Sequence, residues 1–338
     1  MRSKITLKEL AKILNVSVST VSKSLNDSSE ISPKTIQRVK ELAQLHNYRP
    51  NPTAVNLKSN RSGNIAVIVP NISNSFFAKV LGGVETAARK QGFQVITYIS
   101  NESLKLEQQI VELISNGIVD GLLISVSEET QQQQDYEHLH RLMEYEIPVV
   151  LYDRVVEGLE IDMVGVNDKG SIYEAVKYLH THDCKKVAIV SGLGEIGLGK
   201  NRIDGYLEAC RDLGLQTDKK FIINSKDTGD IKRKLKKILT EDKVDALIGF
   251  DYLSTLLCSR VTKENGLDIP GDVKIIGYAN EDFAPYLWPS LSYVDQHPAE
   301  MGETAANMLA QRIKEPSVKK SVRTVIKTEL RHLDSTQK

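Results

Sequence analysis

Cysteine is scarce and scattered. Cys184, Cys210 and Cys258 stand far apart with no metal-ligand spacing. That excludes a disulfide scaffold or a zinc ribbon and points to reduced thiols in a core. No apolar run approaches the ~20 residues of a membrane helix. Nor is there an apolar leader: Met1 passes directly into a polar, helix-capping stretch, so the expectation is a soluble cytoplasmic protein with no membrane partner. Low-complexity sequence is limited to Gln131–Gln134. A phosphate-binding P-loop, a nucleophile–base order and a convincing metal motif are all missing. Glu128-Glu129 and the His-x-His pairs His138/His140 and His180/His182 are the only hints of an enzyme. The reading is therefore a non-enzyme with no cofactor and no metal. Net charge is absent as well, with 44 basic and 44 acidic residues, but the balance is uneven. Residues 1–62 hold 11 Lys and Arg against 4 Asp and Glu, a net of +7, which leaves −7 on the remainder. A basic head on an acidic body is the footprint of a nucleic-acid-binding segment joined to something else.

The head carries helix signals at regular intervals. Thr6 and Glu9 have the spacing of a capping box, and Leu7, Leu10, Ala11 and Leu14 fall on one helical face. Asn15 suits a left-handed stop, with Val16 buried in the turn. Ser17 then caps a second helix, whose Val21 and Leu25 point back at the first while Val18, Ser19, Ser22 and Lys23 face outward. Two short helices joined tightly, the second with a small, hydroxylated and basic outer face, make a helix-turn-helix. Ser32-Pro33 opens a third helix with Pro at the first helical position, and Ile36, Val39, Leu42 and Ala43 supply its apolar stripe.

Four stretches in this order, VSVSTVSKSLN, SPKTIQRV, YRPNPTAVNLK and NIAVIVPNISNSFF, carry a resemblance to the lactose-repressor/galactose-repressor family of bacterial transcription regulators. It runs from Ile5 to Asp334. The resemblance implies that Val18, Ser19 and Lys23 read base edges: Val18 by thymine methyls, Lys23 by guanine acceptors. Ser17, Thr20, Ser22, Asn26, Ser32 and Thr35 are candidates for phosphate contact, although Ser17 and Ser32 are needed as caps in any case. Leu7 joins the DNA-facing set at the start of the first helix. A hinge helix over about 51–59, with Asn51 as cap, would bring Asn51, Ala54, Leu57 and Lys58 to the minor groove. By position Leu57 is the wedge that kinks the duplex; the alternative is that it packs the linker onto the body. A helix this short is marginal alone in water, so the expectation is that DNA and a partner subunit support it. Val55 stands where relatives often carry a basic residue.

After Asn60–Gly63, apolar runs alternate with amphipathic helices. Strands are predicted over Ile65–Val69, Gln94–Ile99, Gly121–Ile124, Val149–Leu151, Met163–Val166, Lys186–Val190, Phe221–Ile223, Ala246–Gly249 and Val273–Ile276. Such βαβ alternation implies an α/β fold with parallel sheets, whose ligands sit at strand carboxyl ends. The resemblance implies a two-lobed body like a periplasmic sugar-binding protein. Residues 1–59 form the head, and 60–338 the effector-binding and dimerisation domain. Crossovers are expected near 160, 291 and 321. They give a first lobe of about 62–160 plus 291–320 and a second of about 161–290 plus 321–338.

The cleft candidates are Ser73, Asn74, Phe76 and Phe77, then Asp153, Asp168, Arg202, Phe250, Asp251, Asn280 and Gln296. Small polar groups beside aromatics suit a planar or sugar ring, with a core position as the alternative for Phe77. Arg202 matches the arginine that commonly holds ligand hydroxyls or a carboxylate, or else bridges the lobes. Trp288 and Asp295 belong to the rim or, for Trp288, to the core. Ala279 stands where many relatives have an acid. The sequence therefore reads as a ligand-responsive regulator. It would bind a palindromic DNA operator as a homodimer and repress carbohydrate-utilisation genes, with a sugar or sugar derivative as effector. No apolar heptads follow Glu329, which argues against a tail-made tetramer. The alternative is an activator or global regulator with a protein co-effector.

Overall fold

The computed structural model describes residues 5–48, 61–156, 158–194, 196–316 and 320–337. They form two compact units, Met1–Ser62 and Gly63–Lys338, a boundary three residues beyond the one expected. The anticipated hinge helix, with Asn51, Ala54, Leu57 and Lys58, lies outside the described residues. Among the described residues, no helix is long and apolar enough to cross a membrane.

Among the described residues, the smaller unit has three helices: α1 (Leu7–Leu14), α2 (Val18–Leu25) and α3 (Pro33–Leu45). Each start follows from a side-chain cap. Thr6 and Glu9 exchange backbone hydrogen bonds of 2.7 and 3.3 Å. Ser17 Oγ accepts from the Thr20 amide at 3.0 Å and Ser32 Oγ from the Thr35 amide at 3.3 Å. Each cap satisfies an amide that the helix leaves without a partner. Asn15 ends α1 at φ 54°, turning the chain sharply enough for α2 to return. Leu10, Ala11, Val21, Val39 and Ala43 are buried between the helices.

Among the described residues of the larger unit, twelve strands make two six-stranded sheets. The first has β1 (Asn64–Val69), β2 (Gln94–Ile99), β3 (Leu122–Ile124), β4 (Val149–Tyr152), β5 (Asp162–Val166) and β11 (Arg323–Ile326), in the order β11-β5-β4-β3-β1-β2. The second has β6 (Val187–Ser191), β7 (Ile222–Asn224), β8 (Ala246–Gly249), β9 (Lys274–Tyr278), β10 (Ser292–Asp295) and β12 (Glu329–Arg331), in the order β12-β10-β9-β8-β6-β7. All pairings are parallel except β10 with β12. Helices cover both faces, which is why central strands such as Asn64–Val69 are near-continuous apolar runs. On the first sheet these are α4 (Ser75–Gln91), α5 (Leu104–Ile114), α6 (Glu128–Gln133), α7 (Glu137–Glu144) and α12 (Pro298–Lys314). The second carries α8 (Asp168–Thr181), α9 (Gly197–Asp212), α10 (Thr228–Lys237) and α11 (Tyr252–Glu264). Cys184, Cys210 and Cys258 are free and buried there.

The chain passes between the sheets later than expected. β5 pairs with β4, with Val164 opposite Tyr152, and so stays in the first lobe. β10 pairs with β9 in the second lobe, and β11 returns to pair with β5. The crossings follow Val166, Asp295 and Ile326, not 160, 291 and 321. The first lobe is thus about 63–166 plus 297–326, and the second about 167–296 plus 327–337. The cause is visible in the strands concerned. β10, β11 and β12 have four, four and three residues, too few for a period-2 signal, and β11 and β12 are largely solvent-facing. Arg312 of α12 fastens this region through Asp162, at 2.5 Å from Nε and 2.7 Å from Nη2. Asp162 also accepts from the Val322 amide at 2.7 Å.

Helices α4 and α12 approach so closely that glycine is required on both. A Cβ at Gly302 would lie 2.0 Å from the Val80 carbonyl oxygen, and one at Gly83 the same distance from that of Ala299. Backbone cannot yield as a flexible side chain would. Gly302→Ala is expected to lower stability by at least the 1–3 kcal/mol typical of overpacking, read by denaturant titration; an unchanged midpoint would mean the helices slide apart at no cost.

Candidate functional site

The head presents α2 outward. Val18 is 41% exposed and Ser19 is exposed, while Ser22 and Lys23 are half-buried. Thr20 is turned inward enough to meet Ser17 Oγ at 2.8 Å. Asn26 caps the end of α2 and donates to the Ser22 carbonyl at 3.0 Å. Leu7 packs against the head's core. Lys23 is ion-paired with Glu30, an acid in the turn after α2 that no sequence pattern links to it. Both side chains reach solvent, so the pair holds Lys23 only weakly.

In the body, the carboxyl ends of six strands converge between the lobes. Asn74, Ser75, Phe76 and Phe77 follow β1, Asp153 and Arg154 follow β4, and Leu193 follows β6. Phe250, Asp251 and Tyr252 follow β8, Ala279 and Asn280 follow β9, and Gln296 follows β10. They line a partly open cleft of about 90 Å³. A wider groove of about 820 Å³ runs along α8 beside Lys327 and His332, but the strand ends do not converge there.

Each lobe's wall is built around one buried guanidinium. In the first lobe, Arg154 grips Glu102 through two hydrogen bonds, at 2.6 and 2.7 Å, and donates to the Val126 carbonyl at 2.9 Å. Burial pushes the Glu102 carboxyl up, but the hydrogen bond and charge of Arg154 outweigh it and hold it below its ordinary value. In the second, Arg202 donates from Nε to Asp168 at 2.7 Å and from Nη1 to the Phe250 carbonyl. Its guanidinium lies 3.6 Å from the Tyr278 ring centroid, a cation–π stack. The Tyr278 hydroxyl in turn meets Ser171 Oγ at 2.7 Å.

Asp153 has no such partner. It is 5% exposed and held at φ 61°. Its backbone is fixed by a 2.9 Å bond from its amide to the Val164 carbonyl, yet among the described residues its carboxylate makes no hydrogen bond. Burial pushes this carboxyl up to about 7, with Asp168 and Glu102 adding to the shift and Arg154 and Arg202 opposing it. Two donors in the same wall, Arg154 Nε and Gln296 Nε2, are also buried without an acceptor.

Comparison with known proteins explains this pairing of head and cleft. Residues 6–51 match the profile described as bacterial regulatory proteins, lacI family, and residues 176–336 match a periplasmic binding protein-like domain. The chain is 30% identical over 321 residues to the HTH-type transcriptional repressor PurR of Vibrio atlanticus (strain LGP32), covering 94% of each protein. It is 28% identical to the HTH-type transcriptional regulator DegA of Bacillus subtilis (strain 168), covering 88% of each. The chain belongs to the lacI family of bacterial regulatory proteins. It is a LacI-family transcription regulator, and its fold is that of the solved Lac repressor dimer bound to operator and the anti-inducer ONPF. That match has a TM-score of 0.85 at 19% identity and covers 99% of both chains. The CelR–cellobiose complex gives a TM-score of 0.71 at 24% identity, covering 98% of this chain and 99% of that one.

Within this LacI-family cleft most of the expected residues meet, with exceptions. Ser73 lies outside the wall; its amide is turned to Asn71 Oδ1 at 2.9 Å. Ser75 takes its place and accepts from Asn280 Nδ2 at 3.1 Å, across the lobes. Asp168 stands behind Arg202 rather than on the surface, so Arg202 bridges within the second lobe and not between lobes. The Phe250 and Phe77 rings are core members, and Phe250 also gives its carbonyl to Arg202. Asp251 is occupied by its capping box with Ser254 and by the Gly192 amide at 2.7 Å. Trp288 is 86% exposed and belongs to neither rim nor core. Tyr252 and Tyr278 join the wall without any motif to mark them, although both lie within three residues of a strand's end, where ligands collect.

The raised carboxyl of Asp153 has a sign that can be checked. Its folded value of about 7 exceeds its ordinary 3.8. The folded state therefore holds the proton more tightly, and the stability this gives is present below pH ~4 and lost as pH rises through 7. Asp153→Asn removes that loss. The variant is expected to gain on the wild type steadily from pH 4 to 7, by about 1.4 kcal/mol for each step of one in pH, and then to hold a constant lead. Parallel stability profiles of the two proteins would contradict the assignment.

Proposed function

We propose that this LacI-family regulator binds a near-palindromic operator as a homodimer and represses carbohydrate-utilisation genes. A sugar or sugar derivative in the interlobe cleft would set its DNA affinity. For the head, the support is α2: its small outward residues Val18 and Ser19, with Lys23 beside them, suit entry to a major groove, and the base contacts fall to these three. Ser17, Thr20, Ser22, Asn26, Ser32, Thr35 and the start of α1 at Leu7 position the head on phosphates. The repressor direction follows the relatives named above.

One observation carries the effector half: among the described residues, Arg154 Nε and Gln296 Nε2 are buried without partners in one wall, beside an Asp153 carboxylate that makes no hydrogen bond. Native structures rarely leave such groups unsatisfied, and a polyhydroxyl ligand offers both donors and acceptors to them. The 90 Å³ of this cleft is well below the ~300 Å³ or more of ordinary small-molecule sites. Entry therefore requires the lobes to part. A ligand that favours one lobe arrangement shifts the balance between the two by its difference in affinity. The dimer reading draws on apolar residues at the surface, Ile99, Leu113 and Ile118 in the first lobe and Leu253, Phe283, Tyr286 and Trp288 in the second. Where such groups adjoin, they mark an interaction surface.

Selection of binding sites from random duplex DNA by the full chain tests this. The expected product is a two-fold symmetric site holding two chains per duplex. Lys23→Ala is expected to weaken binding about tenfold or more and to relax preference at one base pair in each half-site. Binding without sequence preference, or as a monomer, would overturn the proposal.

A further inference from the structure

The charges in the cleft wall are matched unequally, and the imbalance bears on what enters. Both guanidiniums are already compensated. Arg154 holds Glu102 with two parallel hydrogen bonds, and Arg202 holds Asp168 while its flat face is covered by Tyr278. An arginine already paired in this way has little attraction left for a ligand anion, since its field at the cleft is cancelled by a carboxylate 2.6–2.7 Å away. Asp251 adds a carboxylate to the wall, engaged by local backbone and Ser254. Asp153 adds another, which feels the charge of Arg154 and Arg202 but makes no hydrogen bond among the described residues. With Asp251 engaged, Asp153 is the carboxylate of this wall open to a ligand.

We infer that Asp153 is the charge-selecting residue of this cleft, admitting an uncharged or amine-bearing polyhydroxyl ligand and rejecting phosphorylated and carboxylated ones. The inference rests on the effector reading proposed above. The chemistry is complementary on each side. A hydroxyl or ammonium group donates to Asp153. Ligand hydroxyl oxygens accept from Gln296 Nε2 and Arg154 Nε, the two donors left without partners. Phe76, Tyr252 and Leu198 supply apolar wall for the ring's non-polar face. A phosphate or carboxylate on the ligand would face Asp153, and both cations of the wall are already neutralised by Glu102 and Asp168. Beside a carboxylate as buried as Asp153, like charges repel more strongly than in solution.

The test uses matched probes at pH 8, where Asp153 is ionised. Hexoses, hexosamines and hexose 6-phosphates of the same scaffolds are titrated against the full-length protein, with thermal midpoint as readout. Neutral or amino sugars are expected to raise the midpoint, and the phosphate of any active scaffold is expected to bind at least about tenfold more weakly than its parent. Asp153→Asn should weaken the parent by about tenfold and narrow the gap to the phosphate. A phosphate that matches or beats its parent in the wild type overturns charge selection and leaves the effector reading standing. The same holds if Asp153→Asn leaves the gap unchanged while the variant's unliganded midpoint shows it folded. No response to any probe sinks the carbohydrate reading, and charge selection with it.

Discussion

Burying a guanidinium obliges the fold to bury a carboxylate beside it, and the cleft of this protein is arranged around two such obligations. Arg202 gathers the second lobe. Asp168 comes from the first turn of the helix that follows the first crossing, the Phe250 carbonyl from the end of β8, and the Tyr278 ring from the end of β9. Arg154 does the same in the first lobe. It joins the end of β4 to Glu102, which also accepts from the Glu128 amide at 2.8 Å, and to the Val126 carbonyl. Each arginine fixes loops that share no sequence proximity. Removing Glu102 or Asp168 would leave a buried guanidinium without its carboxylate, costing about 3–5 kcal/mol, so these arginines are first of all the frame of the site. Arg202, which the sequence suggests as a direct ligand contact, is committed to its own lobe.

The lobes meet through weaker means. Lys79 reaches Glu281 and Asp282 at 2.5 and 2.9 Å, Lys226 pairs with Glu128, and Asn280 bonds Ser75. Pairs of this kind at a cleft mouth are half in solvent and contribute up to about 1 kcal/mol each. Rigid interiors joined by three strands of chain and a few shallow contacts suit a hinge. The strong interactions hold each lobe together, and the weak ones set the balance between arrangements, which is what a small ligand needs in order to have an effect.

Much of this was legible from sequence because local chemistry decided it. Thr6, Ser17 and Ser32 cap helices whatever the rest of the chain does, and Gln94–Ile99 and Ala246–Gly249 are strands to the residue. The lobe boundaries were not, because β10, β11 and β12 depend on pairing with strands far away in sequence. The site was half legible. Strand-end position brings Asn74, Asp153, Asn280 and Gln296 into one wall. Ser73 and Ser75 could not be separated, because the turn after β1 decides which faces inward. Nor does any pattern announce that Arg202 is committed to Asp168 and Arg154 to Glu102, since such pairing is a property of the packed structure alone.

If the arrangement of the two lobes sets DNA affinity, holding that arrangement fixed must change the affinity. Ser75 and Asn280 face each other across the cleft at 3.1 Å, and the three native cysteines are buried. Cysteines placed at 75 and 280 and joined by a short thiol-specific cross-link would lock the lobes shut without any effector. Affinity for selected operator DNA, measured with the link intact and after its cleavage, is the direct comparison. A difference of about fivefold or more is expected. Equal affinities in the two states would contradict lobe-controlled DNA binding.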